Sequence, residues 1–173
     1  MNSKRFVTVS IAVALSLNGA VLLWGSSGAG ASTAKDRQAV ARAKSFLRTE
    51  AYSFEGLITA LEYGGYTTSA SMYGVENSGA NWDHEALLSA KENLATKAYS
   101  RKGLIQRLEI GKFTAVQSTY GVANCGANWN SEAYKAAEES LAVVKIPKGE
   151  LIAQLRSSGF TGAQAAYGAD RAL

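Results

Sequence analysis

Apolar residues recur along this chain in spacings of three and four. Ala39, Ala43 and Leu47 lie four apart, which puts them on one face of a helix. Leu57, Ile58 and Leu61 form a second such face, bounded by Ser53, suited to cap a helix start, and by Gly64, suited to end one. A third, shorter helix is predicted from Thr67, with Tyr73 closing it and Gly74 as its C-cap. No stretch alternates with period two for long enough to make a strand, so the pattern predicts an all-α fold.

The whole pattern then repeats. Ala39-x-x-x-Ala43-Lys44-x-x-Leu47 returns as Ala86-x-x-x-Ala90-Lys91-x-x-Leu94 and as Ala133-x-x-x-Ala137-Glu138-x-x-Leu141, an offset of 47 residues each time. Leu57 and Leu61 correspond to Leu104 and Leu108, and then to Leu151 and Leu155. Tyr73-Gly74 corresponds to Tyr120-Gly121 and Tyr167-Gly168. These leucines and tyrosines are the expected core positions of each unit, since each set holds one helical register. Thr114 with Gln117, and Thr161 with Gln164, form capping boxes, while the first copy has Ala70 instead of Gln. In the third copy Pro147 replaces the capping Ser, in a residue type favoured in a helix's first turn.

The expected organisation is therefore a segment 1–31, then three helical repeats of three short helices each, at 32–81, 82–128 and 129–173. A unit this small buries a modest fraction of its surface, so stacking against neighbours would help it. The sequence leaves stacked repeats and beads on linkers both open.

Segment 1–31 reads as an export signal. Lys4 and Arg5 precede an apolar stretch from Phe6 to Trp24, and Ala29-Gly30-Ala31 offers an A-x-A cleavage site. The stretch is 19 residues long, also enough for a retained membrane anchor. Both readings place the repeats outside the cytoplasm, secreted or membrane-anchored.

Charge changes the picture once that segment is set aside. The chain has 18 basic and 14 acidic residues, and without 1–31 a net charge of +2 remains. The second and third helices of each repeat resemble a helix-turn-helix, yet Thr68–Tyr73 and Ala115–Tyr120 hold no Arg or Lys for phosphates or base edges. Nucleic acid is not an expected partner.

Catalytic and metal chemistry find no constellation. His84 is the one histidine, and its place is taken by Ser131 in the next repeat. Zinc sites and nucleophilic triads both need more than that. Glu62 and Glu109 share a repeat position that Arg156 takes in the third copy, so they read as solvated charge rather than paired acids. Neither an enzyme nor a cofactor is expected. Cys125 is the single cysteine, so an internal disulfide is excluded; it reads as a small half-buried residue or as a thiol for pairing with another chain. Trp82 and Trp129 follow matching Asn-x-Gly-Ala-Asn loops. They are either packing anchors between repeats or exposed aromatics that recognise a protein or glycan.

The unit A-x-x-x-A-K-x-x-L, then A-Y-S-x-x-G-L-I-x-x-L, [YF]-T, Y-G and N-W resembles the repeat of the Ltp family, over residues 39–173. These are host cell surface-exposed lipoproteins of Gram-positive bacteria and their prophages. The resemblance implies a helix-turn-helix-like repeat held outside the membrane. For phage-encoded members it also implies superinfection exclusion, in which incoming phage DNA is stopped from entering an infected cell. The leading expectation for this chain is a non-enzymatic envelope protein whose repeats bind a protein partner, such as a phage tail or injection component. One feature departs from the family. Trp24-Gly25 is followed by Ser26, and the first 124 residues contain no cysteine, so the usual lipid attachment is excluded. Any anchoring must come from an uncleaved Phe6–Trp24 helix. The alternative expectation is a secreted module that binds cell wall or a host ligand through Trp82 and Trp129.

Overall fold

The computed structural model describes residues 32–173. The export or anchor segment expected at 1–31 lies outside the described residues. Among these the protein is all-α, with nine helices and no strand. The first repeat holds α1 (Ala34–Phe46), α2 (Phe54–Tyr63) and α3 (Thr68–Glu76). The second holds α4 (Trp82–Thr96), α5 (Arg101–Ile110) and α6 (Ala115–Asn124). The third holds α7 (Trp129–Val143), α8 (Lys148–Ser157) and α9 (Gly162–Ala172).

Most helix starts follow their sequence signals. Ser53 and Ser100 accept from the amides of Gly56 and Gly103. Thr114–Gln117 and Thr161–Gln164 form both halves of a capping box, and Thr67 makes only the half that Ala70 permits. Asn81 and Asn128 cap α4 and α7. Pro147 differs from expectation by one position. It is the N-cap of α8, outside the helix, and provides no side-chain hydrogen bond.

Each repeat is built on a tight crossing of its first and third helices. Small residues make it possible. A Cβ added at Gly74 would come within 2.8 Å of the Ala39 backbone, and one at Gly121 or Gly168 within 2.5 Å of Ala86 or Ala133. These glycines are therefore not C-caps, as the sequence suggested. They lie inside helices that run on to Glu76, Asn124 and Ala172. The first two third-helix ends are instead held by Asn77 and Asn124, whose side-chain amides donate to the carbonyls of Tyr73 and Tyr120.

The second helix closes each core with a pair of leucines one turn apart. Leu57 and Leu61, Leu104 and Leu108, and Leu151 and Leu155 are all fully buried. Each contributes about 1.5–3 kcal/mol by leaving water. The tyrosines behave differently. Tyr120 and Tyr167 remain 44% and 40% exposed, and Tyr73 is half-buried. The crossing takes up the neighbouring glycine, and the core position goes to Val75, Val122 or Ala169 two residues on. The tyrosine ring is left on the flank, partly exposed.

The result is three cores, one per repeat, rather than one continuous core. What joins the repeats is a small set of contacts at their ends.

Candidate functional site

The joints between repeats are the most structured features outside the cores. At the first, the Ser53 hydroxyl accepts from the Gly56 amide at 3.0 Å and donates to the Gly111 carbonyl at 2.7 Å. At the second, Ser100 accepts from Gly103 at 2.9 Å and donates to the Ser158 carbonyl at 2.6 Å. One hydroxyl thus caps its own helix and holds the C-terminal carbonyl of the next repeat's second helix. The positive N-terminus of α2 faces the negative C-terminus of α5, and α5 faces α8 in the same way. Glycine at 56 and 103 leaves room for the hydroxyl itself, because an added Cβ would sit 2.9 Å from the Ser53 oxygen or 3.1 Å from that of Ser100.

The third repeat ends this series. It has Pro147, with no hydroxyl, and Glu150 where the others have Gly. Both parts of the socket are missing, so repeat three offers no equivalent joint.

Each tryptophan belongs by sequence to one repeat and packs on the previous one. Trp82 starts α4 yet lies against the first core, edge-on to Phe54 with ring centroids 5.4 Å apart. Trp129 starts α7 and lies against the second core. Both are half-buried.

Beside each joint lies an open groove. The first, of about 330 Å³, is lined by Tyr52, Glu92, Asn93 and Arg107 among others. The second, of about 480 Å³, is lined by the repeat-equivalent Tyr99, Glu139, Ser140 and Gln154, with Val143 and Val144 at its edge. The polar bridge Arg107 to Asn93 at 3.1 Å recurs as Gln154 to Ser140 at 3.3 Å. Burial raises the Tyr52 hydroxyl above its usual pKa, and its hydrogen bond to Glu50 at 3.0 Å adds to the effect.

Two buried carboxylates complete the joints. Glu85 and Glu132, in the first turns of α4 and α7, are 7% and 5% exposed, and each has one oxygen without a partner. Burial pushes Glu85 above the ordinary carboxylate range, partly offset by the backbone N–H of Tyr52. Glu132 has a lysine, Lys135, at 2.8 Å, whereas the corresponding residue in repeat two is Leu88.

The remaining sequence candidates are dispersed. His84 is exposed on the first turn of α4. Glu62 accepts from the Thr68 hydroxyl at 2.6 Å, while Glu109 and Arg156 are exposed on other repeats. Cys125 is half-buried, its thiol directed at the Val122 carbonyl at 3.2 Å. Among the described residues no cluster of three metal-ligating side chains occurs, and no helix is long and apolar enough to cross a membrane. Sequence reasoning missed the grooves and the buried glutamates. The available signal was Ser-x-x-Gly at two repeats set against Pro-x-x-Glu at the third.

No family model and no curated protein matches the chain. Among solved structures it is similar to that of Ltp, a superinfection exclusion protein from the Streptococcus thermophilus temperate phage TP-J34, at 34% identity and a TM-score of 0.52. The match covers 98% of that chain and 54% of this one, about the length of two repeats. With almost the whole of that protein matched at this identity, and the same ordered motifs in each repeat, the chain belongs to the Ltp family.

Proposed function

We propose that this chain is a non-enzymatic envelope protein that carries out superinfection exclusion, its inter-repeat grooves binding a protein of the incoming phage's injection apparatus. The similarity to the Ltp superinfection exclusion protein is the observation that carries this reading. The mechanism is steric: an array displayed outside the membrane occupies the partner before a channel for DNA is complete. Binding at the grooves accounts for the Tyr and Glu side chains that recur there at the same repeat positions. The exposed Val143 and Val144 give the second groove an apolar edge suited to a protein surface.

Binding of wall glycan through the tryptophans fits the geometry less well. A sugar needs an open ring face, and both tryptophans are half-buried against the core of the preceding repeat.

The test is a phage challenge of cells that express the full chain, with adsorption and DNA entry scored separately. Normal adsorption with blocked entry is expected, and Tyr99→Ala with Val143→Ser should weaken the block. Normal entry across a broad panel would overturn the reading. So would protection of the repeats from protease added to intact cells, because exclusion by this route needs them outside.

A further inference from the structure

The three repeats share a fold but not a surface charge. From Lys35 to Arg48 the first helical stretch carries five basic residues against one acid, Asp36, a net +4. The corresponding stretches 82–95 and 129–142 carry one lysine each against three acids, a net −2 in both. Lys35, Arg37, Arg42, Lys44 and Arg48 are all exposed. The described residues hold two ion pairs, Lys135–Glu132 and Lys148–Asp170, and neither involves them. Asp36 is turned back to the Thr33 amide in the capping box of α1.

Helical spacing orders these charges. Ala39 and Ala43 define the buried side of α1. Arg37 and Lys44, at i and i+7, lie on the opposite side about 11 Å apart, and Arg48 extends this strip into the turn just past the C-cap Leu47. The matching strip reads His84, Lys91, Ala95 on the second repeat and Ser131, Glu138, Ala142 on the third. Lys35 stands where the other repeats place a tryptophan to pack on a preceding core. The first repeat therefore presents basic side chains where the others make a joint.

We infer that this face of α1 docks on an anionic phospholipid bilayer. The inference rests on the proposed envelope location with Phe6–Trp24 kept as a membrane anchor. Lys35 follows Trp24, the end of the apolar stretch, by 11 residues, a tether that reaches at most about 40 Å. With that stretch in the bilayer, α1 stands within reach of the headgroups. Each basic side chain near an anionic surface contributes about a fivefold preference. Three on one strip give an attraction that salt screens. Docking would lay the first repeat on the membrane and direct the acidic second and third repeats, with the wider groove, away from it.

The experiment uses the full chain reconstituted into phosphatidylcholine vesicles with or without phosphatidylglycerol, and a quencher on the headgroups. A fluorophore is placed at the half-exposed Ser45→Cys, next to Lys44 on α1, or at Ala142→Cys on α7, each with Cys125→Ser. The Ser45 label should be quenched several-fold more strongly when phosphatidylglycerol is present, and high salt should reverse this. The Ala142 label should not respond. Arg37→Glu with Lys44→Glu and Arg48→Glu should remove the effect with the helical circular dichroism unchanged. Lys44→Glu alone, the residue the third repeat carries there, should weaken it. Equal quenching with and without phosphatidylglycerol would overturn the inference. A phosphatidylglycerol response shared by both labels would also overturn it, as would a response only to added DNA or wall teichoic acid. No phage is present, so failure of exclusion in cells leaves this result intact, and lipid-independent quenching leaves exclusion intact.

Discussion

The two joints of this protein are built from one plan and stabilised differently. Both use a serine that caps its own helix and holds a carbonyl of the next repeat. The first joint adds an aromatic pair, Phe54 on Trp82, but leaves Glu85 buried without a cation. The second has Arg101 in place of Phe54 and so lacks the aromatic pair. It gains polar contacts instead: Glu139 accepts from the Ala98 amide at 3.0 Å, and Lys135 pairs with Glu132. Repetition fixes where a joint forms, and the substitutions within it decide whether dispersion or charge holds it.

The largest expected effect breaks the apolar side of that contrast. Trp82→Ala should cost about 2–3 kcal/mol, below the full cost for a wholly buried tryptophan because the ring is half-buried. Trp129→Ala should cost about 1 kcal/mol less, since no aromatic partner is lost with it. Denaturant unfolding of the two variants tests this. Equal losses would mean that the edge-on ring pair contributes nothing beyond area.

The shared serine comes next. Ser53→Ala and Ser100→Ala each remove a helix cap and one hydrogen bond between repeats, and each should cost about 1–2 kcal/mol. The two values should agree, because the two serines make the same pair of bonds. If unfolding shows one variant near neutral, head-to-tail docking of the second helices is not a shared device.

The polar side of the contrast should appear as pH dependence. Glu85 has its pKa raised by burial from a reference of 4.5, so the folded state resists its ionisation. Its contribution is fully present below the unfolded pKa and is lost as pH rises through the raised folded value. Glu85→Gln should therefore stabilise the protein near neutrality by about 1 kcal/mol, the lower end of the cost of an unpaired buried polar group. The gain should vanish in acid. Melting curves across pH read this directly, and a gain that persisted below the reference value would place the strain elsewhere than in the charge.

Much of this architecture was legible in the sequence, and the misses share a physical origin. Paired leucines and capping boxes are local signals, so Leu57, Leu61, Thr114 and Gln117 appear where the spacing places them. Gly74 was misread because glycine inside a helix costs about 1 kcal/mol relative to alanine, which makes a helix end the cheaper local explanation. The compensating contact is Ala39, 35 residues away in the chain. Glu85 likewise reads locally as an acid in the favourable first turn of a helix. Only the packing of the preceding repeat buries it. The second bond of Ser53 depends on a carbonyl 58 residues on, beyond any local pattern.

The smallest expected effect sharpens the comparison at a single backbone position. After the C-cap of each second helix the chain takes a left-handed turn, at Gly65, Lys112 and Gly159, with φ of 88°, 68° and 92°. A side chain in this region is strained, and glycine is not. Lys112→Gly should thus stabilise the protein by about 0.5–1 kcal/mol, the gain limited by the greater freedom of glycine in the unfolded chain. The reverse change at the second joint should not mirror it. A Cβ at Gly159 would lie 2.7 Å from the Ser100 hydroxyl that holds the joint. Gly159→Lys should therefore cost more than Lys112→Gly gains, because it strains the backbone and displaces the bond to Ser158. Equal and opposite shifts in thermal unfolding would show that backbone strain alone acts there and that the second joint yields freely to the added atom.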